Sequence, residues 1–228
     1  LLILFGMIVM RLPLLVAVSP AVDRRSAIGI VGLGCFTYGI EYVGLTTGFP
    51  YGEFAYRIDL GPMLGGVPLG LPVFYLPLVF DAYLLCLLLV PDGSRRLDLV
   101  PPAIAVLLLM DLVLDPGAIG IGFWSYMETG AFYDVPLSNF AGWLITGSLS
   151  VIVINRVFDH DRLRDRVQAC PFALDDLVSF ALLWGMINLV YLNAIPVLIA
   201  VALLLAVVRT GRMTIPAPRG TSLASGWR

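Results

Sequence analysis

Long apolar runs separated by short polar breaks dominate the chain. A transmembrane helix needs about 20 mainly apolar residues. Seven stretches of the 228-residue sequence come close to that length: 1–18, 26–47, 68–90, 99–116, 139–157, 173–191 and 194–209. The last two follow one another almost directly, so a tight hairpin is expected there. The first begins at Leu1 without a starting Met, which leaves room for upstream sequence, and it is the least regular because it holds Arg11 and Pro13. Its charge is internal and no A-x-A-like site follows, so it reads as a span and not as a signal peptide. The expected fold is all-α: a polytopic membrane helical bundle of about seven transmembrane helices, with two capping outward loops. Residues 1–213 would form the integral membrane domain. Residues 214–228, with their Pro, Gly and Ser, would form a disordered cytoplasmic tail.

Polar breaks alternate in charge. Arg24 and Arg25 follow the first run, Arg95 and Arg96 the third, and Arg156, Arg162, Arg164 and Arg166 the fifth. Arg209, Arg212, Arg219 and Arg228 follow the seventh, whereas the intervening loops hold only Arg57. Basic loops stay in the cytoplasm. A multi-pass protein of the cell membrane is therefore expected, its start outside and its tail inside. The mixed-charge stretch 158–168 (DHDRLRDRVQA) reads as a solvated cytoplasmic loop or short helix.

Composition narrows the class further. Hydrophobic residues make up 59% and charged residues 13%, against about 25% charged in soluble domains. The mean hydropathy is +0.94. A soluble domain of this length could not hide so much apolar surface, and disorder and coiled coil lack their charge and heptads. All 14 basic residues are arginine. Without lysine, a retinal Schiff base has no attachment point. The single histidine, His160, cannot build an oxygen-activating iron site or a bis-histidine haem site. Cys35, Cys86 and Cys170 form no CxxC and read as apolar fillers. Neither GxGxxG nor a P-loop occurs. No cofactor, metal or nucleic-acid partner is expected, so the chemistry must come from carboxylates, hydroxyls, amides and aromatic faces.

Those groups concentrate in two places. The outward loops 48–67 and 117–138 contain nine of the 25 aromatics, interleaved with Gly and Pro. An interfacial aromatic belt would look similar, but irregular backbone at membrane depth is tolerated only under protein cover or along a cavity. A cap over an apolar pocket accounts for both. Beneath the loops, Glu41, Asp81, Asp111 and Asp115 fall inside apolar runs. An ionised carboxylate near the bilayer centre costs roughly 2.5–3.5 kcal/mol, so these groups must be neutral, paired or next to water. They could serve as glue between helices or as partners for Arg57 or Arg11. Asp111 and Asp115 share one helix face, and if they also lie close to Glu41, like-charge repulsion in a low dielectric lets at least one of these acids keep a proton to donate. Pro116 disfavours helix at Asp115, which predicts that the fourth span ends there with its carboxylate aimed into the cap. Tyr38, Glu41 and Tyr42 form one helical stripe, Asn139, Trp143 and Thr146 a second, and Trp184, Asn188 and Tyr191 a third. Each stripe alone is more often packing than a site, and their convergence on one cavity is the expectation to test.

The segments EYVGLTTGFPYGEFAY (41–56) and DLVLDPGAIGIGFWSYMETGAFYDVPLSNFAGW (111–143), with the seven-span plan, resemble the membrane carotenoid hydratases, more narrowly the bisanhydrobacterioruberin hydratase type of haloarchaea. The resemblance covers about residues 26–208, with one departure: Phe54 stands where tyrosine is expected. It implies cofactor-free addition of water to a terminal isoprenoid double bond of a carotenoid, C50 or another acyclic isoprenoid. It also implies the lipid bilayer and other carotenoid-pathway membrane enzymes as partners. Mapped onto that chemistry, Asp115 or Asp111 is the expected proton donor and Glu41 the base or water holder, with Asp81 behind them. Tyr38, Tyr42, Tyr56, Trp124 and Trp143 are expected to form the substrate walls and to stabilise a cation, and Asn139 to fix the water. The rival readings are a proton-coupled transporter of a small amphiphile and a lipid-binding subunit without chemistry.

Overall fold

The computed structural model describes residues 2–91 and 93–211, so the expected tail lies outside the described residues. It is all-α apart from short strands at one end. Seven apolar helices answer the seven runs: α1 (Leu2–Val18), α2 (Arg24–Thr47), α3 (Leu71–Leu89), α4 (Val100–Gly120), α5 (Leu137–Val157), α7 (Asp175–Val190) and α8 (Ala194–Arg209). Five of them, α1 to α5, are long and apolar enough to cross a membrane, counting the short 3₁₀ turns that flank α1 and α4. Both α7 and α8 have 16 residues, roughly 24 Å at 1.5 Å per residue.

Hydrophobicity pattern explains the layering. α3 is apolar all round and lies in the middle of the bundle, buried without interruption from Tyr75 to Leu87. α1 turns Phe5, Ile8, Leu12 and Leu15 outward, and α8 does the same with Leu198, Val201 and Leu205, as lipid-facing helices should. α2 starts from a capping box in which Asp23 accepts from the Ser26 amide at 2.8 Å and the Ser26 hydroxyl accepts from the Asp23 amide at 2.8 Å. Those bonds, the Ser26 amide above all, hold the exposed Asp23 carboxyl below its usual range.

At the arginine-bearing end, the stretch read as a solvated loop or short helix is α6 (His160–Ala169), which buries Leu163 and Val167. Arginines lace this end to backbone carbonyls. Arg162 donates to Pro20 O at 2.5 Å, Arg166 to Val16 O at 3.1 Å and Arg164 to Val90 O at 3.3 Å. Arg96 Nε donates to Asn155 Oδ1, and Asn155 Nδ2 donates back to Arg96 O, both at 2.9 Å.

One boundary departs from expectation. α4 does not stop at Asp115 but runs through Pro116 to Gly120. Proline removes one helical hydrogen bond, yet α7 supports the extra turn. Asn188 Nδ2 donates to Val113 O at 2.8 Å, and Gly117 admits Trp184 where a Cβ would stand 3.0 Å from its ring. Tertiary contacts outweigh the local preference.

The two long loops form one cap. Strand β1 (Phe54–Tyr56) comes from the α2–α3 connection and β4 (Trp124–Tyr126) from the α4–α5 connection. They pair antiparallel with Phe54 opposite Tyr126 and Tyr56 opposite Trp124. A second hairpin, β2 (Met63–Leu64) with β3 (Val67–Pro68), sits beside it.

Candidate active site

Side chains alternate across a strand, so β1 and β4 turn Phe54, Tyr56, Trp124 and Tyr126 to one face and Ala55 and Ser125 to the other. All four aromatics line a cavity enclosed by the helices, with Glu41 of α2, Asp115 of α4, and Asn139 and Trp143 of α5. Its alpha-helical walls continue through Tyr75 and Leu78 of α3 and Trp184 of α7, down to Met7 and Arg11 of α1. About 930 Å³ of space, mouth included, is unfilled by atoms.

The cap holds both carboxylates. Tyr56 donates its hydroxyl to Glu41 Oε1. Tyr126 donates to Asp115 Oδ2 at 2.8 Å, and Asn139 Nδ2 donates to the same oxygen at 2.5 Å. That amide also reaches Asp111 Oδ2 at 3.2 Å, so one side chain of α5 links the two acids of α4. Asp115 is thus inside a helix, yet its carboxylate does meet the cap. Asp111 is fully buried and is not on the cavity wall; Asn139 links it to the site. Burial pushes the Tyr56 and Tyr126 hydroxyls well above the usual phenol range, and the neighbouring carboxylates Glu41 and Asp115 add to this. Both therefore remain donors.

A floor of close packing positions these groups. Tyr51 is clamped between helices α2 and α5, where a Cβ at Gly44 would stand 3.0 Å and at Gly142 2.5 Å from its ring. Its hydroxyl donates to Thr146 Oγ1 at 3.3 Å. Tyr75 and Trp143 stack with ring centres 5.2 Å apart. Phe54, where tyrosine was expected, packs against Tyr51, Tyr56 and Tyr126.

The expected residues divide into three groups. Glu41, Asp115, Tyr56, Trp124, Asn139 and Trp143 come together. Tyr38 and Tyr42 do not line the cavity: Tyr38 donates to Leu64 O, and the Tyr42 ring rests against Gly65, so both support the β2–β3 hairpin. Asp81 sits apart, with Asp176 and Arg11 as the charged groups it faces. Arg11 Nη1 bonds Asp176 Oδ1 at 2.7 Å with both side chains buried. Tyr126, Tyr51, Tyr75 and Asp176 were not singled out from sequence. Tyr126 was one aromatic of a rich loop, and only the register of β1 on β4 distinguishes it.

The fold and site define a class: an all-α membrane bundle whose aromatic cap closes over buried carboxylates. The chain belongs to the carotenoid biosynthesis protein family, whose model matches residues 1–207. It is 55% identical over 196 residues to the bisanhydrobacterioruberin hydratase of Haloarcula japonica, an alignment covering 85% of this chain and 67% of that protein. No solved structure matches it.

Proposed function

We propose that this protein is a carotenoid hydratase that adds water to a terminal isoprenoid double bond of an acyclic carotenoid, of the bisanhydrobacterioruberin type, without a cofactor. The observation that carries the reading is the joint presence of Glu41 and Asp115 on one aromatic cavity wall, each held by a tyrosine of the cap.

In the reaction, Asp115 in its acid form gives its proton to the less substituted alkene carbon. A C–H bond forms, and the positive charge falls on the tertiary carbon. The faces of Tyr56, Trp124 and Trp143 stabilise that cation by about 0.5–2 kcal/mol each. A water held by Glu41 attacks the tertiary carbon, and its proton passes to Glu41 as the C–O bond closes. The proton then returns to Asp115, and the net change is one water added. Asp111 and Asn139 keep Asp115 placed. The cavity takes one end group, while the remaining polyene lies between helices or along lipid.

The protein lies in the cell membrane with its arginine-bearing loops in the cytoplasm, and the cap with the reacting end faces outward. A transporter built on buried acids would carry helices broken at mid-membrane. α2 and α4 run unbroken for 24 and 21 residues through Glu41 and Asp115, which favours hydration.

The test is expression of Asp115→Asn and Glu41→Gln in cells supplying the anhydro-carotenoid, followed by mass analysis of extracted pigment. The wild type adds one or two waters, and each variant, present at normal level, loses most of that shift. Near wild-type yield from both variants would sink the acid–base assignment. An unchanged pigment mass with the wild type would sink hydration itself.

A further inference from the structure

A hydratase consumes a water at every turnover, and the hydrocarbon core around the bundle holds none. A second cavity lies at the cap end, bounded by the end of α2, the segment leading into β1, the end of β4 and the first turn of α5. About 550 Å³ there, mouth included, is unfilled by atoms. Its chemistry is the opposite of that of the aromatic cavity. Thr47, Glu53, Glu128 and Ser138 line it and are exposed, so its walls carry the polar partners that an ordered water needs. Neighbouring residues divide between the two cavities, so the wall between them is thin. Tyr126 lines both. Ser138 lines the polar cavity and the next residue, Asn139, the aromatic one; Glu53 is followed in the same way by Phe54. Across this wall the Ser138 hydroxyl donates to Tyr51 O at 3.3 Å, a long contact for two oxygens. Asp115 stands directly behind it, since Tyr126 and Asn139 both donate to its Oδ2.

We propose that the polar cavity is the water inlet of the site. Solvent collects between Glu53, Glu128 and Ser138 and passes Tyr126 to reach Asp115 and Glu41. Movement of one side chain admits a water, so β1 and β4 stay paired. The use of that water rests on the proposed hydration; its access to the aromatic cavity is a separate property and can be measured separately.

Trp124 supplies a reporter inside. It lines the aromatic cavity, and its Nε1 is buried with no hydrogen-bond partner among the described residues, so its proton exchanges when water reaches it. The full chain in detergent, with Cys35→Ser and Ser138→Cys, is treated with a methanethiosulfonate that carries a sulfonate and plugs the polar cavity. Exchange of the Trp124 indole proton in heavy water is followed by NMR of nitrogen-labelled protein, the signal being assigned with Trp124→Phe. Hydration is read from pigment mass. Labelling is expected to slow the exchange and remove most of the hydration, and dithiothreitol should restore both. The same reagent on Ala55→Cys, on the other face of the cap sheet, should change neither. Exchange as fast after labelling as before, hydration unchanged by the label, or a Ser138→Cys thiol that the reagent does not reach overturns the proposal. Slowed exchange in a protein that hydrates nothing even before labelling would leave water entry supported and count against the proposed reaction alone.

Discussion

Asn139 donates from one amide nitrogen to two carboxylates on α4, and Tyr126 adds a second donor to the nearer of them. Oδ2 of Asp115 already receives two hydrogen bonds, so in the proposed reaction Oδ1 is the oxygen that carries the proton. Tyr126→Phe removes one of those bonds and little volume. In the proposed reaction Asp115 becomes a carboxylate as its proton leaves, and a hydrogen bond to that charge is worth about 1.5–3 kcal/mol, so hydration should fall at least tenfold with protein level unchanged, read as product per unit protein by pigment mass analysis. An unaltered rate would show that the tyrosine packs against Asp115 without positioning it. Gly142 tests the wall in a different way. A methyl group there would stand 2.5 Å from the Tyr51 ring and 3.1 Å from Pro50 O, and ring and backbone have little room to shift. Gly142→Ala should lower stability by about 1–3 kcal/mol through overpacking and reduce hydration as Tyr51 moves, seen together in thermal unfolding and product yield.

Among elements, α1 is bound to α7 by a buried ion pair. Removing one partner of such a pair costs about 3–5 kcal/mol, because the other charge is left in low dielectric. Arg11→Met should therefore lower the unfolding temperature in detergent sharply. The double variant Arg11→Met with Asp176→Asn should recover most of that loss, which separates the cost of an orphaned charge from lost packing. The same comparison explains why an arginine inside the first apolar run does not argue against a span. Its partner was hard to see in sequence, since Asp176 lies in the first turn of α7, where an acid is ordinary helix chemistry. α4 teaches a related lesson: Pro116 signalled a helix end, and contacts from Trp184 and Asn188 on α7 carried the helix past it.

At the scale of the whole molecule, the cap joins two loops that are distant in sequence, and it stands over a bundle whose exterior is apolar. In the proposed reaction, a polyene too long for the cavity leaves it between helices, and the cap then stays closed through each cycle. Ala55 and Ser125 face each other on the outer side of the cap sheet and can be cross-linked. With exposed Cys35 changed to serine, Ala55→Cys with Ser125→Cys should form a disulfide, and hydration should persist in the oxidised protein. Loss of activity on oxidation, restored by reductant, would show that substrate or water enters through the cap.

The sequence by itself determined the class of molecule and its inventory of chemistry. Apolar runs near bilayer length, arginines on alternate loops and carboxylates inside spans are read directly, because transfer free energy depends on side-chain type and run length. The segments 41–56 and 111–143 carried the family as well. Tertiary structure alone decided which groups meet. Hydropathy shows that Glu41, Asp81, Asp111 and Asp115 leave water, but not how each helix is rotated about its axis. Packing of α3 and α7 sent Asp81 to Arg11 and Asp176. The register of β1 on β4 brought Tyr56 to Glu41 and Tyr126 to Asp115, while Tyr38 and Tyr42, on the same stripe as Glu41, went to the β2–β3 hairpin. Hydrogen bonds and contacts between segments far apart along the chain set these choices, and no local pattern encodes them.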